Sequence, residues 1–288
     1  MRSARFAVFA TLLFSCAAIL LLTAQFNSSF AVPPPQTPAN YLGFDRNEYP
    51  GDAAMTVLRK TFSFTSYWIG PPPGEKESTW LGKRELLARQ GFGFVVLFNG
   101  RESRALKSPA DAQQKGKVDA ERAVKSTRQE GFTKGTIIFL DMEEGGRLSA
   151  TSHTYLQNWF DGVVQAGYRP GVYCSAIPVN EGKGVSIATA QDIKDHAGTR
   201  EIAFWVFNDV CPPAPGCSFA ASAPEVAQSG FAEASIWQYA QSPRRNERTA
   251  QCAATYAADG NCYAPGDTGH KWFLDVNTAS SPNPSSPK

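Results

Sequence analysis

Gly93-Phe-Val-Val-Leu-Phe-Asn99 is a continuous apolar run. A strand with one wet face alternates apolar and polar residues, whereas an unbroken run suits a strand covered on both faces, as in a parallel sheet between helices. The pattern returns at Thr136-Ile-Ile-Phe-Leu-Asp141. Between the two lies Pro109 to Glu130, long, charged, Ala-bearing and followed by Gly131, which reads as a helix with its stop signal. Strand, helix and strand in that order make a βαβ unit. Toward the N-terminus, Tyr41-Leu-Gly-Phe-Asp45 and the β-branched and aromatic stretch Phe62 to Ile69 read as further strands. Toward the C-terminus, Tyr168 to Ala176, Glu201 to Asn208, Ser235 to Ala240 and Lys271 to Asn277 do the same, completing eight. Helical spacing is also present in Trp80 to Gln90 and Tyr155 to Ala166, each closed by a glycine. The expected fold is α/β, a single-domain (β/α)8 TIM barrel over residues 41–279. No Gly-x-Gly-x-x-Gly follows the first strand, so a dinucleotide fold has no support. Cys211 to Glu233 and Gln241 to Gly269 lack helical periodicity and predict long irregular loops in the C-terminal third.

The chain has 288 residues, 42% hydrophobic and 19% charged, ordinary for a globular protein. Its net charge of +2 is that of Arg2 and Arg5, leaving the remainder neutral, so electrostatics give no argument for a nucleic-acid partner. The two arginines precede a nearly unbroken apolar run, Phe6 to Ala24, and Ser29-Phe30-Ala31 offers small residues where a signal peptidase reads. Residues 1–31 therefore predict a signal peptide and a secreted or cell-envelope destination. An uncleaved membrane anchor is the alternative, since the run approaches the ~20 residues that span a bilayer. No second segment is long and apolar enough to span. Residues 32–40 read as a Pro-rich linker, and 280–288, rich in Ser and Pro, as a disordered tail.

Export makes disulfides the first reading of Cys211, Cys217, Cys252 and Cys262, which lie in Pro-, Gly- and polar-rich stretches. Three pairings are open; the local pairs Cys211–Cys217 and Cys252–Cys262 close the shortest loops. A zinc site would want close cysteine pairs and supporting histidines, and none is evident. Cys174, within an apolar strand, reads as a buried free thiol. No cofactor and no metal is assigned. His153, His196 and His270 fall outside the strands, which argues against Ser/His/Asp or Cys/His catalysis.

Carboxylates remain. On a strand, residues two apart share a face, so Asp141 and Glu143 in Phe139-Leu-Asp-Met-Glu-Glu144 point the same way. In a barrel, the C-terminal strand ends build the catalytic mouth. Asp45 ends the first strand and Asp275 lies near the end of the eighth, its neighbour after closure. Asp45, Asp141, Glu143 and Asp275 thus converge on one concavity. Glycosidic cleavage needs a proton donor and nearby negative charge, and crowded carboxylates raise one another's pKa, keeping one protonated. A divalent metal held by the same carboxylates is the rival reading. Tyr67, Trp68, Trp205, Trp237 and Tyr239 sit at or near strand ends, where aromatic faces stack on sugar rings. Tyr173, opposite Cys174, and Asn277 complete the candidate substrate-binding set.

Gly43-Phe-Asp45, Phe139-Leu-Asp-Met-Glu143, Pro170-Gly-Val-Tyr173, Trp237-Gln-Tyr239 and Phe273-Leu-Asp-Val-Asn277 occur in collinear order. This set resembles the bacterial glycoside-hydrolase-like barrel domain of unknown function related to family 25 lysozymes, which are muramidases. The resemblance implies Glu143 as general acid, Asp141 as a partner that orients a substrate N-acetyl group, and Asp45 and Asp275 as flanking acids. It implies action on peptidoglycan or a related N-acetylated glycan, or else a non-catalytic cell-wall-binding protein on the same barrel. The Pro71-Pro-Pro-Gly74 turn and the cysteine-bearing loops depart from the lysozyme pattern.

Overall fold

The apolar runs become strands that close on one another. A computed structural model describes residues 40–208, 223–240 and 274–287. In chain order the elements are β1 (Tyr41–Asp45), α1 (Asp52–Leu58), β2 (Phe64–Trp68), α2 (Arg84–Arg89), β3 (Gly93–Asn99), α3 (Pro109–Gln129), β4 (Ile137–Asp141), α4 (Ala150–Gln165), β5 (Arg169–Ser175), β6 (Val179–Gly182), β7 (Val185–Ile187), α5 (Thr189–His196), β8 (Ala203–Phe207), β9 (Ala234–Ala240) and β10 (Asp275–Ala279). Eight strands form a closed barrel in the order β1-β10-β9-β8-β5-β4-β3-β2, and β6 and β7 form a separate hairpin.

One expectation needs correction. The last barrel strand is not parallel: β10 runs antiparallel to both β1 and β9. It also covers Asp275–Ala279 rather than 271–277. The reversal keeps Asp275 at the mouth, because this strand begins where its neighbours end, and Asp275 is registered directly opposite Asp45.

Sequence periodicity missed α1, α5 and the hairpin for identifiable reasons. The two helices have seven and eight residues, too few for a 3.6-residue period to declare itself, and neither has a side-chain cap. The hairpin strand β6 is exposed throughout, so nothing apolar alternates along it. The expected loops 211–233 and 241–269 fall largely outside the described residues, as do residues 1–39 and the four candidate disulfide cysteines. Cys174 is free and fully buried, as expected, and burial pushes its thiol up from the ordinary range.

Inside the barrel, small residues make room for large ones. A Cβ on Gly43 would lie 2.1 Å from the Phe64 ring, and one on Gly171 would lie 2.6 Å from the Phe139 ring. Outside, α3 and α4 approach closely at Gly116 and Gly162, where a Cβ would meet Tyr155 O at 2.5 Å and Ala120 Cβ at 2.7 Å. Tyr155 on α4 donates to Asp119 on α3 across that contact.

The tail is not disordered. β3 and β4 pair only from Val96 and Ile138 upward, and the tail fills the gap below. Phe94 N–H donates to Asn283 Oδ1, Val96 N–H to Ser285 Oγ, and Ile137 N–H to Ser285 O, while Ser285 N–H returns a bond to Phe94 O. Ser285 is 1% exposed. Gly93 is required here, since a Cβ would lie 2.0 Å from Pro282 O. Composition suggested a solvated segment, but backbone donors left by the splayed strands capture it. Ser285→Ala strands the buried Val96 N–H and should cost about 1–3 kcal/mol, measured as a lower urea midpoint at unchanged slope.

Candidate active site

Strand alternation decides which residues reach the barrel mouth. On β2, Tyr67 packs its ring 5.7 Å from Phe94 and 5.3 Å from Phe132, and its hydroxyl donates to Glu130 just beyond α3. Tyr67 therefore belongs to the layer between barrel and helices, and Trp68, the next residue, faces the other way. On β9, Trp237 and Tyr239 lie together on the face opposite Gln238, with rings 5.7 Å apart, and Trp237 Nε1 donates to Asn208 O. The expectation that Tyr67, Trp237 and Tyr239 stack on substrate is corrected: each is at most 1% exposed and faces away from the mouth.

Gln238 is the residue of that motif which points inward, and its polarity between two aromatics was the signal for it. Gln238 Nε2 donates to Asp45 Oδ1 at 2.9 Å, while Gln238 Oε1 accepts from the Tyr173 hydroxyl at 2.8 Å. Asn277 Nδ2 donates to the same Asp45 oxygen at 2.6 Å, and Asn277 Oδ1 accepts from Trp205 Nε1 at 2.8 Å. Tyr173, Trp205 and Asn277 are thus buried supports of Asp45. Trp68 is 3% exposed and its Nε1 is buried with no partner among the described residues.

All four carboxylates lie within electrostatic reach of Tyr173. Tyr173 is held well above the usual tyrosine range, first by burial and then by the charges of Asp45, Asp141, Asp275 and Glu143. One phenol senses all four. Asp141 is 5% exposed, and its Oδ1 is buried without a hydrogen-bond partner among the described residues. Burial, then Glu143, then Asp45 push its pKa well above the carboxylate range. Asp45 is pushed up to about 6, by removal from water against the lowering effect of Asn277 and Gln238, with a further rise from Glu143. Glu143 lies beyond the end of β4 and is exposed.

A cleft of about 260 Å³ opens beside this group, lined by Pro73, Asn99, Gly100, Arg101, Asp141 and the Met142–Glu144 segment, among others. Gly100 permits it, since a Cβ there would lie 2.3 Å from Asp141 O. The other charges of the cleft are occupied. Arg101 bonds Asp119 through two nitrogens at 2.5 and 2.8 Å. Glu144 accepts from the Ser103 N–H and hydroxyl, both at 2.5 Å, and Glu102 pairs with Arg104. Asp141 and Glu143 are left as the carboxylates that no described residue engages.

Residues 75–210 match the family model described as Rv2525c-like, glycoside hydrolase-like domain. That stretch includes Asp141, Glu143, Tyr173 and Trp205. Among solved structures, an uncharacterized protein from B. stearothermophilus aligns at a TM-score of 0.53 and 20% identity, over 83% of this chain and 95% of that one. GHIP, a glycosyl hydrolase 25 of Streptococcus pneumoniae, aligns at a TM-score of 0.50 and 11% identity, over 83% and 86%. No curated protein sequence matches the chain. Similarity to a glycoside hydrolase-like domain is therefore supported over residues 75–210, and at these identities the structural neighbours carry the fold alone.

The raised Asp45 makes a stability prediction. A carboxyl whose folded pKa exceeds its unfolded value favours the native state while protonated, and that contribution is lost as pH rises from about 4 through about 6. Asp45→Asn keeps an acceptor for Gln238 and Asn277 without the charge. It should stabilise the protein by on the order of 1–3 kcal/mol at pH 7, with the difference vanishing below about pH 4 in thermal melts taken across pH.

Proposed function

We propose that this protein is an exported hydrolase of N-acetylated cell-wall glycan, peptidoglycan or a close relative, working by carboxylate acid catalysis. The observation that carries this reading is the pair Asp141 and Glu143. One carboxylate is withdrawn from water with an oxygen unengaged, and the other is exposed, at a cleft whose remaining charges are compensated. Burial and then the charge of Glu143 hold Asp141 well above the carboxylate range, and carboxyl groups gathered at a cleft are what general acid catalysis draws on.

In the proposed reaction Glu143, the accessible member, delivers the proton to the glycosidic oxygen. Asp141 orients the substrate acetamido group by hydrogen bonding. Asp45 and Asp275 supply negative potential as the sugar carbon becomes positive. The glycoside hydrolase-like family match supports the reaction class. Asp45→Asn, stabilising by the argument above, should then slow turnover, the ordinary opposition between stability and a charged site.

Glu143→Gln keeps shape and hydrogen bonding but delivers no proton. Release of reducing ends from peptidoglycan should fall by roughly 10²–10⁴-fold, while sedimentation with peptidoglycan persists; Asp141→Asn should also impair turnover. Full activity in Glu143→Gln sinks the assignment of the acid. Wild type that sediments with peptidoglycan yet releases no reducing ends from any N-acetylated polymer supports a binding protein instead.

Export belongs to the proposal, with cleavage after Ala31 and the local disulfides Cys211–Cys217 and Cys252–Cys262. No helix among the described residues is long and apolar enough to cross a membrane. Intact mass and N-terminal sequencing of cell-envelope or secreted material should find the chain beginning at Val32. Material that keeps Arg2 and fractionates with membranes shows an anchor.

A further inference from the structure

Asp192 is the one acid of α5 that faces inward, and its side chain is fully buried. Its Oδ2 accepts from the Leu148 N–H at 2.8 Å. Its Oδ1 is buried with no hydrogen-bond partner among the described residues. A buried carboxylate oxygen left without a donor is costly and calls for an explanation.

Two histidines stand beside it. His153, in the first turn of α4, has its buried Nε2 2.9 Å from Asp192 Oδ2. His196, one helical turn beyond Asp192, has Nδ1 2.8 Å from the Asp192 backbone O and 3.5 Å from Oδ1, so that nitrogen is engaged by the helix and Nε2 is the one left to ligate. The imidazole rings stack 3.9 Å apart at 24°. One ligand atom from each of the three residues lies within 4.8 Å of the other two. Zinc bonds to imidazole and carboxylate of about 2.0–2.2 Å put ligand atoms of a tetrahedral site about 3.5 Å apart. The cluster is therefore within a small side-chain adjustment of coordination. His196 is half exposed and gives an ion its path in.

Arg147 Nη1, 3.6 Å from Oδ1, is the competing cation. That side chain is half exposed and already paired with Glu181 at 3.1 Å, so it can yield Oδ1 and keep a partner.

We propose that His153, Asp192 and His196 bind a divalent transition-metal ion of the zinc class, with solvent completing the coordination. Two imidazoles and one carboxylate select zinc-like ions over magnesium and calcium, which want oxygen ligands. Asp192 also holds Leu148, and Thr189 on the same helix donates to Glu144 O and Gly146 O, each at 2.9 Å. A bound ion therefore ties α4 and α5 to the loop that carries Glu143. The site is structural and independent of the hydrolase reading.

The test is calorimetric titration of Zn²⁺ into untagged, chelator-treated full-length protein, with Mg²⁺ as the comparison and thermal melts alongside. The expected result is one equivalent of Zn²⁺ bound, a raised melting temperature, and no response to Mg²⁺. His196→Ala alters a half-exposed side chain and should fold normally, while His153→Gln covers the buried side. Each should weaken Zn²⁺ by more than about tenfold, the least that perturbing a metal's supporting residues costs. No stoichiometric Zn²⁺ binding by wild type overturns the proposal. Undiminished binding in both variants also overturns it, by assigning the ion to other ligands.

Discussion

Asp45 is the constraint around which the barrel mouth is arranged. It sits half-buried at the end of β1, and a carboxylate in that position is best kept by donors around it. Gln238 from β9 and Asn277 from β10 both donate to one of its oxygens. Each is fixed in turn, Gln238 by Tyr173 on β5 and Asn277 by Trp205 on β8. One charge thus organises five strands, including the antiparallel pair. The donors do not fully offset its dehydration, and the deficit shows as a pKa of about 6.

The reversal of β10 follows the same economy of space. An antiparallel last strand brings Asp275 to the mouth at its beginning and delivers the chain to the opposite end at its close. There the lower parts of β3 and β4 are splayed, and Asn283 and Ser285 bond the donors those strands leave open. The mouth gains an acid and the floor gains a plug from one change of strand direction. The interior between them is filled by unequal partners, Gly43 against Phe64 and Gly171 against Phe139, so any side chain at either glycine would push an aromatic ring into the layer above or below.

What the sequence made legible follows from which signals are local. Unbroken apolar runs such as Gly93 to Asn99 can be read without partners, and the strand limits there agree with the structure. The four acids were readable because each lies at or just beyond the mouth end of such a run. Alternation within Trp237-Gln-Tyr239 was equally available and shows that only one of its residues can face inward, yet aromatic identity outweighed parity in selecting the outer two. Strand direction was not legible, because Asp275–Ala279 has the same composition read either way. The tail was misjudged for a related reason. Its Ser and Pro content describes how it behaves alone, whereas its order comes from backbone donors more than a hundred residues away in sequence. The His153, Asp192 and His196 cluster was invisible for the same cause, being made by the packing of α4 against α5.

The division of roles among the cleft carboxylates depends on neutralising their neighbours. An arginine in an acidic cleft would ordinarily pair with the nearest functional carboxylate and lower its pKa. Arg101 does not, because Asp119, buried between α3 and α4 and bonded by Tyr155, engages it through two nitrogens. Glu144 would otherwise add a third charge beside Asp141 and Glu143, but Ser103 holds it with two donors and turns it into a fastening for the cleft wall. With both satisfied elsewhere, the interaction that Asp141 feels most, after its own burial, is repulsion from Glu143. The electrostatics of Asp141 are therefore set by its own burial and by Glu143. In the proposed reaction, a neutral sugar that displaces water from the cleft strengthens that repulsion and raises Asp141 further, the direction that keeps a carboxyl group an acid.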